Sequence, residues 1–546
     1  AREPAAAMAS CARAIELRPG YAEAYNNLGN ALQDLGEHEA AAASYAKAVA
    51  HQPQYADAYC NLGNALRAQE KFDDAADAYR RAIALQPGFR VAHQGLSETL
   101  RAAGDLRGAV DHAREGLDPG DADAHCVLAR LLQRMSEFDK AVELLERAIA
   151  IDPAHARAWA WLGDLRNQQG EYGQAVQACR HAIELDPELA DAYNFLGFAY
   201  HNLNLLAAAE LSHRHAIDLN PDDADAHHNL AAALFRLEKF DEAMKHTEIA
   251  RALGIDPLKV QMTLGDILWA KGDLAGALDA FRSAIRHDLH RAYSRMLFNM
   301  SSSPAFEPQE WVAEARRYGE HLERDALAFE HDRAQRVAQA QGRPLRVGFV
   351  SGDLRQHPVG IFLESVLARI DRSRIEPHAY VTFVGEDDVT ARLRPNFASW
   401  KKVVSLGREE AAQLIRDDGI DILIDMAGHT NWSGLPIFGH KPAPVQASWL
   451  GFFATTGCRA IDYFIGDAHT LPADEAHHFT ERPWRLPDSY LCFTPPPYDV
   501  AVGPLPMATH GGVTFGCFGK LIKISDEVVA LWSRILHALP DARLLL

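Results

Sequence analysis

The sequence predicts a two-part protein: an all-α array of helical repeats over residues 1–290, then an α/β region built on a parallel sheet from about residue 343. Three observations predict it. One leucine recurs at nearly constant spacing through the first half, and a proline recurs in step with it. Beyond residue 290 both stop, and short β-rich apolar runs alternate with helical stretches.

The leucines are Leu28, Leu62, Leu96, Leu128, Leu162, Leu196, Leu230 and Leu264, at intervals of 34 residues with one of 32. Near copies surround them: AYNNLGNAL, AYCNLGNAL, AWAWLGDLR, AYNFLGFAY and AHHNLAAAL. A second register runs through Ala48, Ala82, Ala148, Ala182, Ala216 and Ala284, and a third through Pro19, Pro53, Pro87, Pro119, Pro153, Pro187 and Pro221. Each suits a pair of packed helices. Gly29, Gly63, Gly163 and Gly197, next to the leucine on the first helix, admit a neighbouring helix closely. The alanines pack the second helix back against the first. Proline follows the second helix, where it can begin the next segment but cannot continue a helix. Asp57, Asp123, Asp191 and Asp225 put acid in the first turn of first helices, where the helix dipole favours it.

This is the period and pattern of tetratricopeptide repeats, about eight of them after a leading helix. Stacked, such pairs form a superhelix whose groove suits an extended peptide. Asn27, Asn61 and Asn229 share one repeat position on the first helix, from which an amide can bond the backbone of an extended peptide. Gly95, Val127, Trp161, Phe195 and Thr263 interrupt that ladder, and the plainer alternative for each Asn is a polar surface position. Asp121-Ala-Asp123 and Asp223-Ala-Asp225 imitate a metal-holding DxD but fall at helix starts, where acid is expected anyway. His213, His215, His227 and His228 lack an HExxH context and a nearby cysteine, and are expected at the surface.

Apolar residues make up 48% of the 546 and charged residues 24%, ordinary for a globular protein of two or three domains. The formal net charge of −19 argues against nucleic acid and anionic membranes as partners. The seven cysteines show no CxxC pair, so a disulfide framework or zinc ribbon is not expected, and a reducing cytoplasm is. No membrane-length apolar stretch or signal peptide is present. The chain opens at Ala1 without an initiator Met, so a missing N-terminal segment is expected. Oligomeric state is left unassigned.

After SSSPAFEP (301–308) a polar helix is expected from about Gln309 to Ala340, so that 291–342 reads as linker helices. Strands are expected at LRVGFVSG (345–352), HAYVTF (378–383), WKKVVSL (400–406), IDILIDMAG (420–428), VQASWLG (445–451) and DYFIGD (462–467). This first lobe runs from 343 to 490. Ligands in such sheets bind beyond the carboxyl ends of the strands. The segment after the first strand places Asp353 and His357 there, with Pro358 and Gly360 shaping the turn into a helix. Asp and His are also ordinary turn and cap residues. A proline-rich linker covers 491–512, and 513–546 reads as strand, loop, helix and strand. That is too little to bury a sheet, so a truncated second lobe is expected.

LRVGFVSGDLRQHPVG, IDILIDMAGHT, PAPVQASWLGFFATTG, DYFIGD and FGCFGKLIKI, in this order after the repeats, resemble the O-linked N-acetylglucosamine (O-GlcNAc) transferase family, in its bacterial type. The resemblance implies a GT-B catalytic region of two Rossmann-like lobes, the second truncated here. It also implies inverting transfer of N-acetylglucosamine from UDP-GlcNAc to Ser or Thr hydroxyls of acceptor proteins, with no metal cofactor. By that resemblance His357 and Asp353 are the catalytic pair, Lys523 contacts the donor diphosphate and Gly451 borders the sugar pocket. A lysine and helix N-terminal amides would then neutralise the departing UDP, while His357 either accepts a proton or orients the reacting groups. Val359 stands where animal members have Thr, and Lys520 and Ile522 where they have Gln and Tyr. The alternatives are a non-catalytic peptide-binding scaffold, or the same fold using another nucleotide sugar.

Overall fold

The computed structural model describes residues 4–332, 341–494, 501, 503–505, 507–508, 511–517, 524 and 526–545. The chain divides into two compact units, Ala1–Asn220 and Pro221–Leu546.

The first unit is an array of antiparallel helix pairs, from Pro4–Leu17 to Leu206–Leu219. Its registers have distinct packing jobs. The register alanines Ala48, Ala82, Ala148, Ala182 and Ala216 are fully buried. Each register glycine faces one particular side chain of the second helix rather than open space. A Cβ on Gly29 would meet Tyr45, one on Gly63 would stand 2.8 Å from Tyr79, and those on Gly163 and Gly197 would meet Cys179 and His213. All four facing side chains are buried. The Tyr45 hydroxyl donates to Asn30 Oδ1 at 2.8 Å and that of Tyr79 to Asn64 Oδ1 at 2.6 Å, so each buried ring also satisfies its polar end. The 32-residue interval has a local cause: the second helix of that repeat, Leu106–Glu115, has 10 residues where its neighbours have 14, and closes at Gly116.

The turn inside each helix pair carries a further register. Gly36, Glu70, Gly104, Ser136, Gly170, Asn204, Glu238 and Gly272 all hold left-handed backbone, with φ between +59° and +89°. This conformation ends a helix by bonding its last carbonyls, and glycine adopts it at least cost.

Two of the histidines expected at the surface are buried. His213 is fully buried, occupying the place that Tyr45 and Tyr79 take in earlier repeats, with Nδ1 3.0 Å from Asn194 Oδ1. His227 is buried too, 2.9 Å from His246 and 3.1 Å from the Pro221 carbonyl. His228 is half-buried, and His215 is exposed against Tyr193. The first carboxylate of each DxD is a helix cap, Asp121 accepting from the Ala124 N–H and Asp223 from the Ala226 N–H, while Asp123 lies 3.0 Å from His155 Nε2 and Asp225 takes Lys259 Nζ at 2.8 Å.

In the second unit the pairs continue from Ala224–Arg236 to Leu274–Ile285, where Gly265 faces the buried Phe281. Helices Leu289–Ser301 and Pro308–Asp325 follow. The latter stops well short of the expected Ala340. Beyond it the backbone extends, and the Phe329 N–H donates to the His440 carbonyl at 2.8 Å. Residues 333–340 lie outside the described residues.

The sheet has seven parallel strands, β1 (Leu345–Ser351), β2 (Ile375–Val381), β3 (Ser399–Lys402), β4 (Ile422–Asp425), β5 (Val445–Trp449), β6 (Tyr463–Asp467) and β7 (Arg482–Leu486), in the order β3-β2-β1-β4-β5-β6-β7. Strand alternation divides its core. Val347, Phe349, Ala379 and Val381 pack under Leu363 and Leu367 of helix Pro358–Arg369. Val350, Tyr380 and Leu423 point the other way, into a cluster with Tyr293, Met296, Tyr318 and Leu322 from the two helices that follow the repeats. That packing is intimate, because a Cβ on Gly319 would overlap the Gly457 carbonyl and one on Gly457 the Ala315 carbonyl. Farther on, β8 (Thr514–Gly516), helix Asp526–Ala538 and β9 (Arg543–Leu545) form a two-stranded parallel unit, the expected strand–helix–strand. Among the described residues no helix is long and apolar enough to cross a membrane.

Candidate active site

Strand order reverses direction between β1 and β4, so the loops beyond their carboxyl ends flank the crevice where open α/β sheets bind ligands. The β1 loop carries Asp353 and His357. His357 caps helix Pro358–Arg369 through Nδ1, which accepts from the Val359 N–H at 3.4 Å. Asp353 Oδ2 stands 3.6 Å from the same nitrogen. One ring nitrogen therefore has a donor on one side and a carboxylate on the other, and gaining a proton exchanges the first partner for the second. The Asp353 side chain is 7% exposed and that of His357 39%, so the carboxylate is sheltered while the ring reaches solvent. Burial pushes the Asp353 carboxyl above its usual range, against the pull of His357 and Arg355. Arg355 approaches Asp353 at 3.8 Å and lays its guanidinium over the Phe383 ring at 4.3 Å. Gly360 makes this loop possible, since a Cβ there would overlap the Arg355 carbonyl.

The β4 and β5 loops interlock beside it. Asp425, fully buried at the end of β4, accepts from the backbone N–H groups of Ala427 and Gly428 and from the Ser448 hydroxyl at 2.8 Å. Burial nevertheless pushes its carboxyl up to about 6. These bonds fold Met426–Thr430 into a tight turn and present His429 inward. His429 Nε2 lies 3.0 Å from the Thr456 carbonyl and Nδ1 3.2 Å from Ser294 Oγ, and burial holds the ring down at about 4. The β5 loop is tied by Glu481, a buried carboxylate that takes the Thr455 hydroxyl at 2.6 Å, the Thr456 N–H at 2.8 Å and the Thr456 hydroxyl.

Gly451 stands two residues past the end of β5. Its Cα lies against the Met426 carbonyl, so a Cβ would overlap that oxygen, and the residue holds the β4 and β5 loops together. Lys523, Lys520 and Ile522 lie outside the described residues. Of the three asparagines, Asn27 is exposed on helix Ala22–Asp34. Asn61 is half-buried and donates to Asn26 Oδ1 at 3.0 Å and Asn30 Oδ1 at 3.3 Å, tying adjacent first helices together. Asn229 is half-buried on helix Ala224–Arg236. The structure thus brings Asp353 and His357 together at one strand end, with Gly451 in the neighbouring loops. In the sequence, none of Asp425, His429 and Arg355 stands out as a site residue. IDMAGHT showed the first two as a motif, but their partners are backbone groups and a distant serine.

Comparison with known proteins agrees with this geometry. Residues 320–493 match the model of Glycosyl transferase family 41, and several tetratricopeptide-repeat models match within residues 10–245, among them 56–89 and 126–190. The chain is 37% identical over 206 residues to the probable UDP-N-acetylglucosamine–peptide N-acetylglucosaminyltransferase SPINDLY of Arabidopsis thaliana, a match covering 37% of this chain and 22% of that protein. It is 35% identical over 162 residues to the UDP-N-acetylglucosamine–peptide N-acetylglucosaminyltransferase of Caenorhabditis elegans, covering 29% and 14%. The matched part thus spans less than a quarter of each of these relatives. A solved mutant of the O-GlcNAc transferase of Thermobaculum terrenum superposes with a TM-score of 0.52 at 31% identity, over 72% of this chain and 68% of that one. Helical repeats, a parallel sheet with this strand order and a match over two thirds of a solved member converge on one assignment: the chain belongs to the O-GlcNAc transferase family, glycosyl transferase family 41.

Proposed function

We propose that this protein transfers N-acetylglucosamine from UDP-GlcNAc to serine or threonine hydroxyls of proteins, with inversion at the anomeric carbon and the acceptor received by the repeats. The observation that carries it is the pairing of His357 with the sheltered Asp353 at the carboxyl end of β1, beside the switch point, in a chain of this family.

In this reading the acceptor oxygen forms a bond to the anomeric carbon, the bond from that carbon to the UDP oxygen breaks, and the hydroxyl proton must leave. His357 takes or orients that proton, and Asp353 at 3.6 Å stabilises the imidazolium. Charge on the departing diphosphate falls to Lys523 rather than to a metal. The seven cysteines, all free, support a cytoplasmic setting, and the short linker at 491–512 supports a bacterial-type member. Asn27, Asn61 and Asn229 are the proposed contacts to the acceptor backbone.

UDP release from UDP-GlcNAc and from other sugar nucleotides by the full-length protein tests this directly. Turnover with UDP-GlcNAc, lost in both His357→Ala and Lys523→Ala without loss of fold, is the expected result. Preference for another sugar nucleotide would replace the donor. No turnover with any would leave a peptide-binding scaffold.

A further inference from the structure

Outside the repeat turns, three described residues other than glycine hold left-handed backbone: Trp432, Lys441 and Leu450, with φ of +61°, +52° and +77°. Lys441 is explained by its ammonium, which reaches the Asp462 carboxylate at 2.7 Å and the Ala460 carbonyl at 2.6 Å. Leu450 packs against the core under β1. Trp432 is different. It is 48% exposed, so its conformation is not the cost of burying its ring.

The surroundings nevertheless hold it in place. The Thr382 hydroxyl donates to the Trp432 carbonyl at 2.6 Å. Gly352, directly after β1, lies beneath it, and a Cβ there would overlap the Trp432 side chain. The indole meets Phe383 edge to face at 5.0 Å, the Arg355 guanidinium lies over that same phenyl ring, and Arg355 approaches Asp353. A chain of contacts thus runs from an exposed indole to the carboxylate that faces His357. A bulky residue in left-handed backbone is strained, and such strain persists where neighbours over-determine it, commonly at ligand clamps. Tryptophan is also among the residues that most often anchor a protein partner.

We propose that Trp432 is a specificity-determining residue that receives the acceptor polypeptide, its indole packing against the chain that flanks the target hydroxyl. This rests on the transferase reading above. The polypeptide fits better than the donor because a departing diphosphate demands cations. Arg355, the cation stacked on the Phe383 ring that the indole meets, already faces Asp353. A neutral aromatic face suits apolar side chains and planar peptide groups.

Trp432→Asn and Trp432→Phe in the full-length protein test it. UDP release from UDP-GlcNAc would be followed with and without a library of peptides carrying one central serine, alongside thermal melting. Asn tolerates left-handed backbone, which offsets the loss of the Phe383 contact, so Trp432→Asn is expected to keep its fold and melt near the wild-type temperature. Its peptide KM should rise roughly tenfold or more, the scale of losing an aromatic anchor. Donor KM stays unchanged, and Trp432→Phe recovers most of the peptide KM.

An unchanged peptide KM overturns the proposal. So does a raised donor KM with peptide KM intact, which would give the ring to the sugar. A lower melting temperature with parallel loss of every rate would make Trp432 a packing residue. Wild-type protein that releases no UDP from any sugar nucleotide overturns the transferase reading itself, and this inference with it.

Discussion

Ser294 Oγ and His429 Nδ1 stand 3.2 Å apart across 135 residues of sequence. The other ring nitrogen donates to the Thr456 carbonyl, so the neutral ring accepts the Ser294 hydroxyl and joins a helix after the repeats to the end of β4. The folded ring titrates at about 4 against an ordinary 6.5. Between those values the unfolded chain binds a proton that the folded one refuses. The stabilisation is therefore complete above about pH 6.5 and is lost as pH falls to about 4. Against His429→Gln, the stability advantage of the wild type should shrink by about 3 kcal/mol over that window. Urea unfolding at the two ends of the window measures it, and an unchanging gap would refute the assignment.

Asp425 gives the opposite sign. Its folded carboxyl titrates at about 6 against an ordinary 3.8, so the folded chain holds a proton that the unfolded one has lost. Stability from this group is present below about pH 4 and is lost as pH rises through 6. Relative to Asp425→Asn, wild type should gain about 3 kcal/mol on acidification from pH 7 to pH 4. The same urea series reads it, and a gap that moves in the direction seen for His429 would contradict it.

Glu70 and Glu238 occupy left-handed turn positions that Gly36, Gly104, Gly170 and Gly272 fill elsewhere, and both side chains are exposed. Glu70→Gly and Glu238→Gly should each stabilise by about 0.5–1 kcal/mol, the relief of the left-handed cost less the entropy of glycine. Melting temperatures of the single variants decide this. A fall would mean that the glutamates make contacts worth more than the strain.

Gly451→Ala should cost about 2–3 kcal/mol, because the new methyl group must displace the Met426 carbonyl and with it the β4 loop. UDP release should fall together with the melting point. Loss of release at an unchanged melting point would make Gly451 a donor contact instead of a spacer between loops.

The repeats were legible because each register is a small set of residue types doing one packing job at fixed spacing, and the buried register alanines show the period at work. The left-handed turn register was not, because its occupants vary among Gly, Glu, Ser and Asn and only their backbone is common. His213 does not look like a core residue by type, and only its register, shared with the inward-pointing Tyr45 and Tyr79, marks it as buried. Six strands announced themselves as apolar runs. β7, RPWRL, did not, since an edge strand tolerates Pro483 and needs no buried alternation. At the site, Asp353 and His357 could be found because they sit four residues apart after a strand. Asp425 and Trp432 owe their roles to backbone groups and neighbouring loops that no spacing reveals.

The close backbone contacts of Gly319 and Gly457, with Tyr318 buried beside them, bear on how such proteins can evolve. Repeats whose neighbours are other repeats can be duplicated or deleted by unequal recombination, each event adding or removing one interchangeable module. The helices from Leu289 to Asp325 are not interchangeable in that way, because their partners are sheet residues and loops. A crossover that grafts a foreign array onto this sheet should succeed only upstream of Leu289, so this segment is inherited with the sheet while the array before it is free to drift in length.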